Sequence, residues 1–203
     1  FVVGVYQQLV QALTGIQLFR WLFQKGTQEL GINTWDKKRS LNFFLCFVWL
    51  WLAIVALYVT AVYFFFPNEW QAMRAIALPP TNTIVTTLLF QSFFPGMGEE
   101  ILFRGFIINV LAAFVLPNWR QNNASKWGIV ALSSGYFAVA HIYFTLSPFH
   151  VTHIDPVQIA MALGCGAFYA VVFLKTKSLL APFLSHNFAN VTSTLVGYLI
   201  SGV

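Results

Sequence analysis

Residues 41–66, LNFFLCFVWLWLAIVALYVTAVYFFF, run for 26 positions without a charge. A helix needs about 20 such residues to cross the hydrocarbon core of a bilayer. Four further stretches have the same character: 1–24, 127–144, 156–174 and 179–200. Only 8% of the 203 residues are charged and 58% are hydrophobic, against roughly 25% charged in soluble domains. Water could not hydrate such a surface. The sequence therefore reads as an integral membrane protein, an all-α polytopic helix bundle forming a single domain over 1–203. Phe1 opens an apolar stretch with no Met-initiated basic segment. No signal peptide is expected, and the sequence is read as starting within a longer chain. Cys46 and Cys165 lie in apolar runs and are expected to be free thiols. The net charge of +5 fits basic cytoplasmic loops. No aromatic-interleaved basic patch points to nucleic acid as a partner.

The stretch 82–116 is apolar but holds Pro95, Gly96 and Gly98. It reads as one kinked element or as two short spans, and loop charge separates the two. With one crossing, loops 25–40, 117–126 and 175–178 share a side. That side gathers Lys25, Lys37, Lys38, Arg39, Arg120, Lys126, Lys175 and Lys177 against Arg74 alone. With two crossings the split is nearly even. One long element bent at 95–98 is therefore expected, giving about six membrane elements with the 25–40 side cytoplasmic. As a helix, its 35 residues would measure roughly 52 Å at about 1.5 Å per residue, so it must bend or tilt.

Ionisable residues inside a membrane are costly and mark function by default. The spans hold few: Glu99, Glu100, Arg104, His141 and His186, with Arg20 near an end. Glu100 and Arg104 are four apart and can pair on one helix face. Glu99 points about 100° away and is left without a local partner. Asn190 lies one helical turn beyond His186, on the same face. Any one of these could be structural, a lone histidine strut or a packing ion pair. Glu, His, His and Asn together on three apolar segments point to chemistry.

The stretches EEILFRG (99–105), FAVAH (137–141) and HNFAN (186–190) resemble, in order, the three motifs of the CAAX protease and bacteriocin-processing family, the CPBP or Abi family of intramembrane proteases. The resemblance covers about 82–200, taken as the catalytic core. Residues 1–81, with spans 1–24 and 41–66, show membrane character only. It implies an intramembrane glutamic endopeptidase whose substrate is a membrane-associated protein or peptide, with a prenylated CaaX terminus as one candidate.

A carboxylate in an apolar cavity has its charged form disfavoured and is a stronger proton acceptor. Glu99 is the expected general base. His141 is expected to hold the same water, and His186 and Asn190 to donate hydrogen bonds to the oxyanion. The resemblance implies this same division. Glu100 and Arg104 would brace the helix, and Phe137 belongs to the second motif. No cofactor is expected. Zinc held by Glu and two His is the second choice, although no HExxH or cysteine cluster is present. Rival functions are a bacteriocin-immunity or peptide-binding protein without turnover, and a Glu/His proton or ion carrier, which would need a continuous polar path across the membrane. The active site is expected to face the cytoplasm. One geometric difficulty stands out: counted from the cytoplasmic end, His141 lies about 10 Å deeper than His186, unless the 127 helix begins earlier. His150, His153 and Asp155 read as a solvated loop, and Gly164 and Gly166 as close-packing positions.

Overall fold

The structure is a computed structural model that describes residues 1–201. In chain order it runs α1 (Val2–Phe23), α2 (Thr27–Leu30), α3 (Lys37–Phe65), α4 (Pro67–Arg74) and α5 (Thr81–Glu100). A π-helical segment Ile101–Ile107, α6 (Ile108–Val110) and a second π segment Leu111–Val115 follow without a break. Then come α7 (Asn123–Val139), strands β1 (Tyr143–Leu146) and β2 (Phe149–His153), α8 (Pro156–Thr176) and α9 (Leu180–Ile200). The protein is an all-α membrane bundle carrying one small hairpin.

Its exterior is that of a lipid-facing protein. Trp49, Leu57, Phe64, Phe65 and Leu199 turn at least two-thirds of their surface outward, while Glu100, Arg104, Ser40, Ser133 and Ser185 are fully buried. α3 and α8 are each long and apolar enough to cross a membrane by themselves. α1, α5 and α9 carry Gln8, Glu99, Glu100, His186 and Asn187. Those polar groups face neighbouring helices, where hydrogen bonds offset the loss of water.

Thr81–Val115 is one unbroken helical element. Pro95, which has no N–H to give, sits inside α5, and the Gly96 N–H donates sideways to Asn187 Oδ1 of α9 at 2.9 Å. α5 stays helical through 95–98, and the change of hydrogen-bond register comes later, at Ile101–Ile107. Such π segments often accompany functional sites. Here it follows the two glutamates directly.

Two expected boundaries move. The Asn122 side chain caps α7 by accepting from the Ala124 N–H at 2.8 Å, so the helix starts four residues before 127. It ends at Val139, not 144, because Tyr143–Leu146 pairs antiparallel with Phe149–His153. An aromatic and β-branched run such as YFTL fits a strand as well as a span. α8 starts at a conventional cap: Asp155 accepts from the Val157 and Gln158 N–H groups, with Pro156 in the first turn.

The three basic loops meet at one end of the bundle. The Leu179 N–H donates to Gly31 O at 2.9 Å, and Asn33 Nδ2 donates to Lys177 O at 3.0 Å. Ser178 Oγ donates to Asn33 O at 2.9 Å, and the Lys177 ammonium lies 4.4 Å from the centre of the Trp119 ring. Burial, with Arg120 nearby, pulls Lys177 down to about 8. The hairpin lies beyond the far end of α7.

At the middle of the bundle α1 and α5 nearly touch. A Cβ on Gly98 would lie 2.6 Å from Gln8 O and 2.8 Å from Gln8 Cα, and against its side-chain oxygen. Two of those neighbours are backbone and cannot rotate away.

Two outcomes follow from this arrangement. Gly98→Ala should force the helices apart and lower stability by about 1–3 kcal/mol, read as a lower melting temperature in detergent. Single cysteines at Arg120 and His150 should react with an impermeant maleimide from opposite sides of the membrane, Arg120→Cys from the cytoplasmic side by the positive-inside rule.

Candidate active site

Glu100 organises the centre of the bundle. Its Oε2 lies 3.2 Å from Arg104 Nε, and its Oε1 lies 2.8 Å from His186 Nδ1. All three side chains are buried. The Arg104 pair is the local four-residue pair the spacing predicts, and it survives the change to π geometry just downstream. The guanidinium lies 4.3 Å from the Phe137 ring centre and 5.2 Å from that of Tyr169, and Nη2 reaches Gly166 O at 3.4 Å. A Cβ on Gly166 would meet Ser134 Cα at 3.2 Å, so this glycine does permit close packing, whereas Gly164 faces open space.

His186 is held on three sides. Its Nδ1 is fixed by Glu100. Tyr169 stacks on it at 5.7 Å and 16°, and the edge of Phe137 meets it at 5.7 Å and 87°. Its Nε2 points toward Glu99, 3.8 Å from Oε2. The other oxygen of Glu99 accepts from Gln8 Nε2 of α1 at 3.1 Å.

His141 sits two residues past the end of α7. Its Nδ1 lies 2.7 Å from Phe137 O. A carbonyl can only accept, so Nδ1 carries the hydrogen, and the neutral ring presents a lone pair at Nε2. Phe137 therefore bridges the site: its ring contacts Arg104 and His186, its carbonyl orients His141.

Glu99, His141, His186 and Asn190 all line one cavity of about 450 Å³. The depth mismatch counted along the helices does not keep the histidines apart, since both line this cavity. The cavity continues toward the hairpin end, past Gln7, Phe90, Tyr143, Ser193 and Thr194. A second cavity of about 380 Å³ reaches Glu100 from the basic-loop end, and its walls are mostly apolar: Ile32, Met97, Ile101, Leu179, Leu180 and Phe183. The expectation of cytoplasmic basic loops and that of a cytoplasmic active site therefore pull in opposite directions. Among the described residues, no three His, Cys, Asp or Glu side chains are grouped as metal ligands. That includes His150, His153 and Asp155, of which Asp155 serves as the helix cap.

Three residues of this site lie outside the motif reading. Gln8 reaches Glu99 from a helix read only as a span. Tyr169 forms a wall of the His186 slot. Asn187, next to the motif histidine, fastens α9 to Gly96. Each acts across the fold, so nothing in local spacing exposes it.

Removing one partner from a buried ion pair leaves an uncompensated charge and costs about 3–5 kcal/mol. Arg104→Met should therefore melt far below wild type, and the double variant Arg104→Met/Glu100→Gln should recover much of that loss in the same detergent melt.

The chain matches one family description, "Type II CAAX prenyl endopeptidase Rce1-like", over residues 80–192. No curated protein and no solved structure matches it. The matched stretch covers more than half of the chain and contains Glu99, Glu100, Arg104, His141, His186 and Asn190. The chain belongs to the Rce1-like family of type II CAAX prenyl endopeptidases and is a membrane-embedded member of a family of proteases.

Proposed function

We propose that the protein is an intramembrane endopeptidase that cleaves a peptide bond near the C-terminus of a membrane-associated substrate, a prenylated CaaX protein foremost, with Glu99 activating the water. The observation that carries this reading is the convergence of Glu99, His141, His186 and Asn190 on one cavity inside an otherwise apolar bundle. The whole chain acts as one membrane domain, since α1 supplies a partner to Glu99.

Glu99 Oε2 takes a proton from the water as its oxygen attacks the scissile carbonyl carbon. His141 Nε2 accepts the water's other hydrogen and fixes its direction. The oxyanion that forms is met by Asn190 Nδ2 and by His186 Nε2–H. Because Nδ1 of His186 is committed to Glu100, donation from Nε2 uses the imidazolium, which then lies between two glutamates. The C–N bond breaks as protonated Glu99 returns its proton to the leaving amine. Preorganised donors of this kind supply the largest share of rate enhancement in acyl-transfer sites.

The dimensions suit a short C-terminal leaving group. Along α5 the cavity lining runs from Phe90 to Glu99, about 13 Å at 1.5 Å per residue. Three extended residues need about 10 Å. A carrier would need a polar route onward from Glu99. The cavity on the far side of Glu100 is walled mainly by apolar residues, which favours hydrolysis over transport.

Membranes carrying the wild type should cleave a farnesylated CaaX peptide, and Glu99→Gln should reduce kcat by about 10²–10⁴-fold, the usual contribution of a general base. Equal cleavage by both proteins would remove Glu99 from the mechanism. Tight peptide binding by the wild type with no cleavage would instead favour a binding protein without turnover.

A further inference from the structure

Gln8 is the one buried polar side chain of α1, with 5% of its surface exposed. Its Nε2 lies 3.1 Å from Glu99 Oε1. A carboxylate offers only acceptors, so the amide nitrogen must be the group that faces it. Gln8 Oε1 has no hydrogen-bond partner among the described residues. It lies against Gly98, where a side chain would push it away. The amide is thus fixed by sterics on one side and by the carboxylate on the other.

That contact divides the two oxygens of Glu99. Oε1 is taken by Gln8. Oε2 is buried without a hydrogen bond among the described residues and lies 3.8 Å from His186 Nε2. In a side chain free to rotate about its last bond, either oxygen could face the water. Here one is tied to α1, so the other is left without a hydrogen bond beside His186 Nε2.

Resting on the assignment of Glu99 as general base, we infer that Gln8 is a positioning residue for the reaction: its amide N–H holds one oxygen of Glu99 and leaves the other unpaired, to accept from the water once substrate and water enter. Gly98 belongs to the same device, because only glycine lets α1 come close enough for the amide to reach. The stretch of chain that carries the three motifs is then not sufficient for activity. α1 completes the site.

The experiment is infrared difference spectroscopy of the purified full chain. The carboxylate stretching band of Glu99 is identified as wild type minus Glu99→Gln. Gln8→Met keeps the bulk and removes the donor, and Gln8→Asn, one methylene shorter, serves as a second variant should the thioether disturb packing. The Glu99 band should shift in both variants, because the stretch responds to the loss of a hydrogen bond. On the farnesylated CaaX peptide, kcat should fall roughly tenfold to a hundredfold with KM little changed, the size expected for a hydrogen bond to a charged group. A Glu99 band that stays in place in both folded variants would overturn the proposal, whatever their activity. A band that moves while Glu99→Gln retains full activity would leave the contact standing and sink the general-base assignment instead.

Discussion

A carboxylate buried without water must be neutralised, and the interior of this bundle is arranged around that requirement. Glu100 is wholly buried and meets Arg104 at 3.2 Å and His186 at 2.8 Å. An isolated charge at that depth would cost several kcal/mol even after relaxation. Arg104 cannot leave, because its guanidinium is packed between Phe137 and Tyr169. His186 cannot turn, because the same two rings confine it. One ion cluster thus ties α5, α7, α8 and α9 together and sets the register of all four.

The same cluster makes adjacent carboxylates unlike. Successive residues on a helix point about 100° apart, so Glu100 enters the cluster while Glu99 turns toward α1 and the polar cavity. One is paired with Arg104 and with Nδ1 of His186. The other touches only a neutral amide and the edge of the His186 ring. The two environments are separated by a single residue of helix rotation. Pro95, with the Gly96–Asn187 contact, and the π segment from Ile101 bracket this pair.

What the sequence exposes depends on the range of each interaction. The Glu100–Arg104 pair is four residues apart, and local geometry is enough to find it. The convergence of Glu99, His141, His186 and Asn190 could be suspected because charges are scarce and each exception stands out. The hairpin could not be seen, since Tyr143–Leu146 continues the apolar run of α7 without a break in composition. Gln8 escaped for a different reason. An uncharged amide in an apolar helix is common, and its partner lies 91 positions away. The grip of Glu100 on His186 spans 86 positions, and it changes the chemistry expected of that ring: with Nδ1 engaged, the neutral imidazole cannot donate from Nε2.

The position of the cavity mouth constrains the biology more than the motifs do. Eight basic residues in loops 25–40, 117–126 and 175–178 lie at one end of the bundle, and the polar cavity runs toward the other. Tyr143 and Phe90 line the cavity on the way to Glu99. From the basic end, the approach is an apolar chamber that stops at Glu100, whose oxygens are already held by Arg104 and His186. With the basic loops on the cytoplasmic side, as the positive-inside rule has it, the polar mouth of the cavity opens toward the other face.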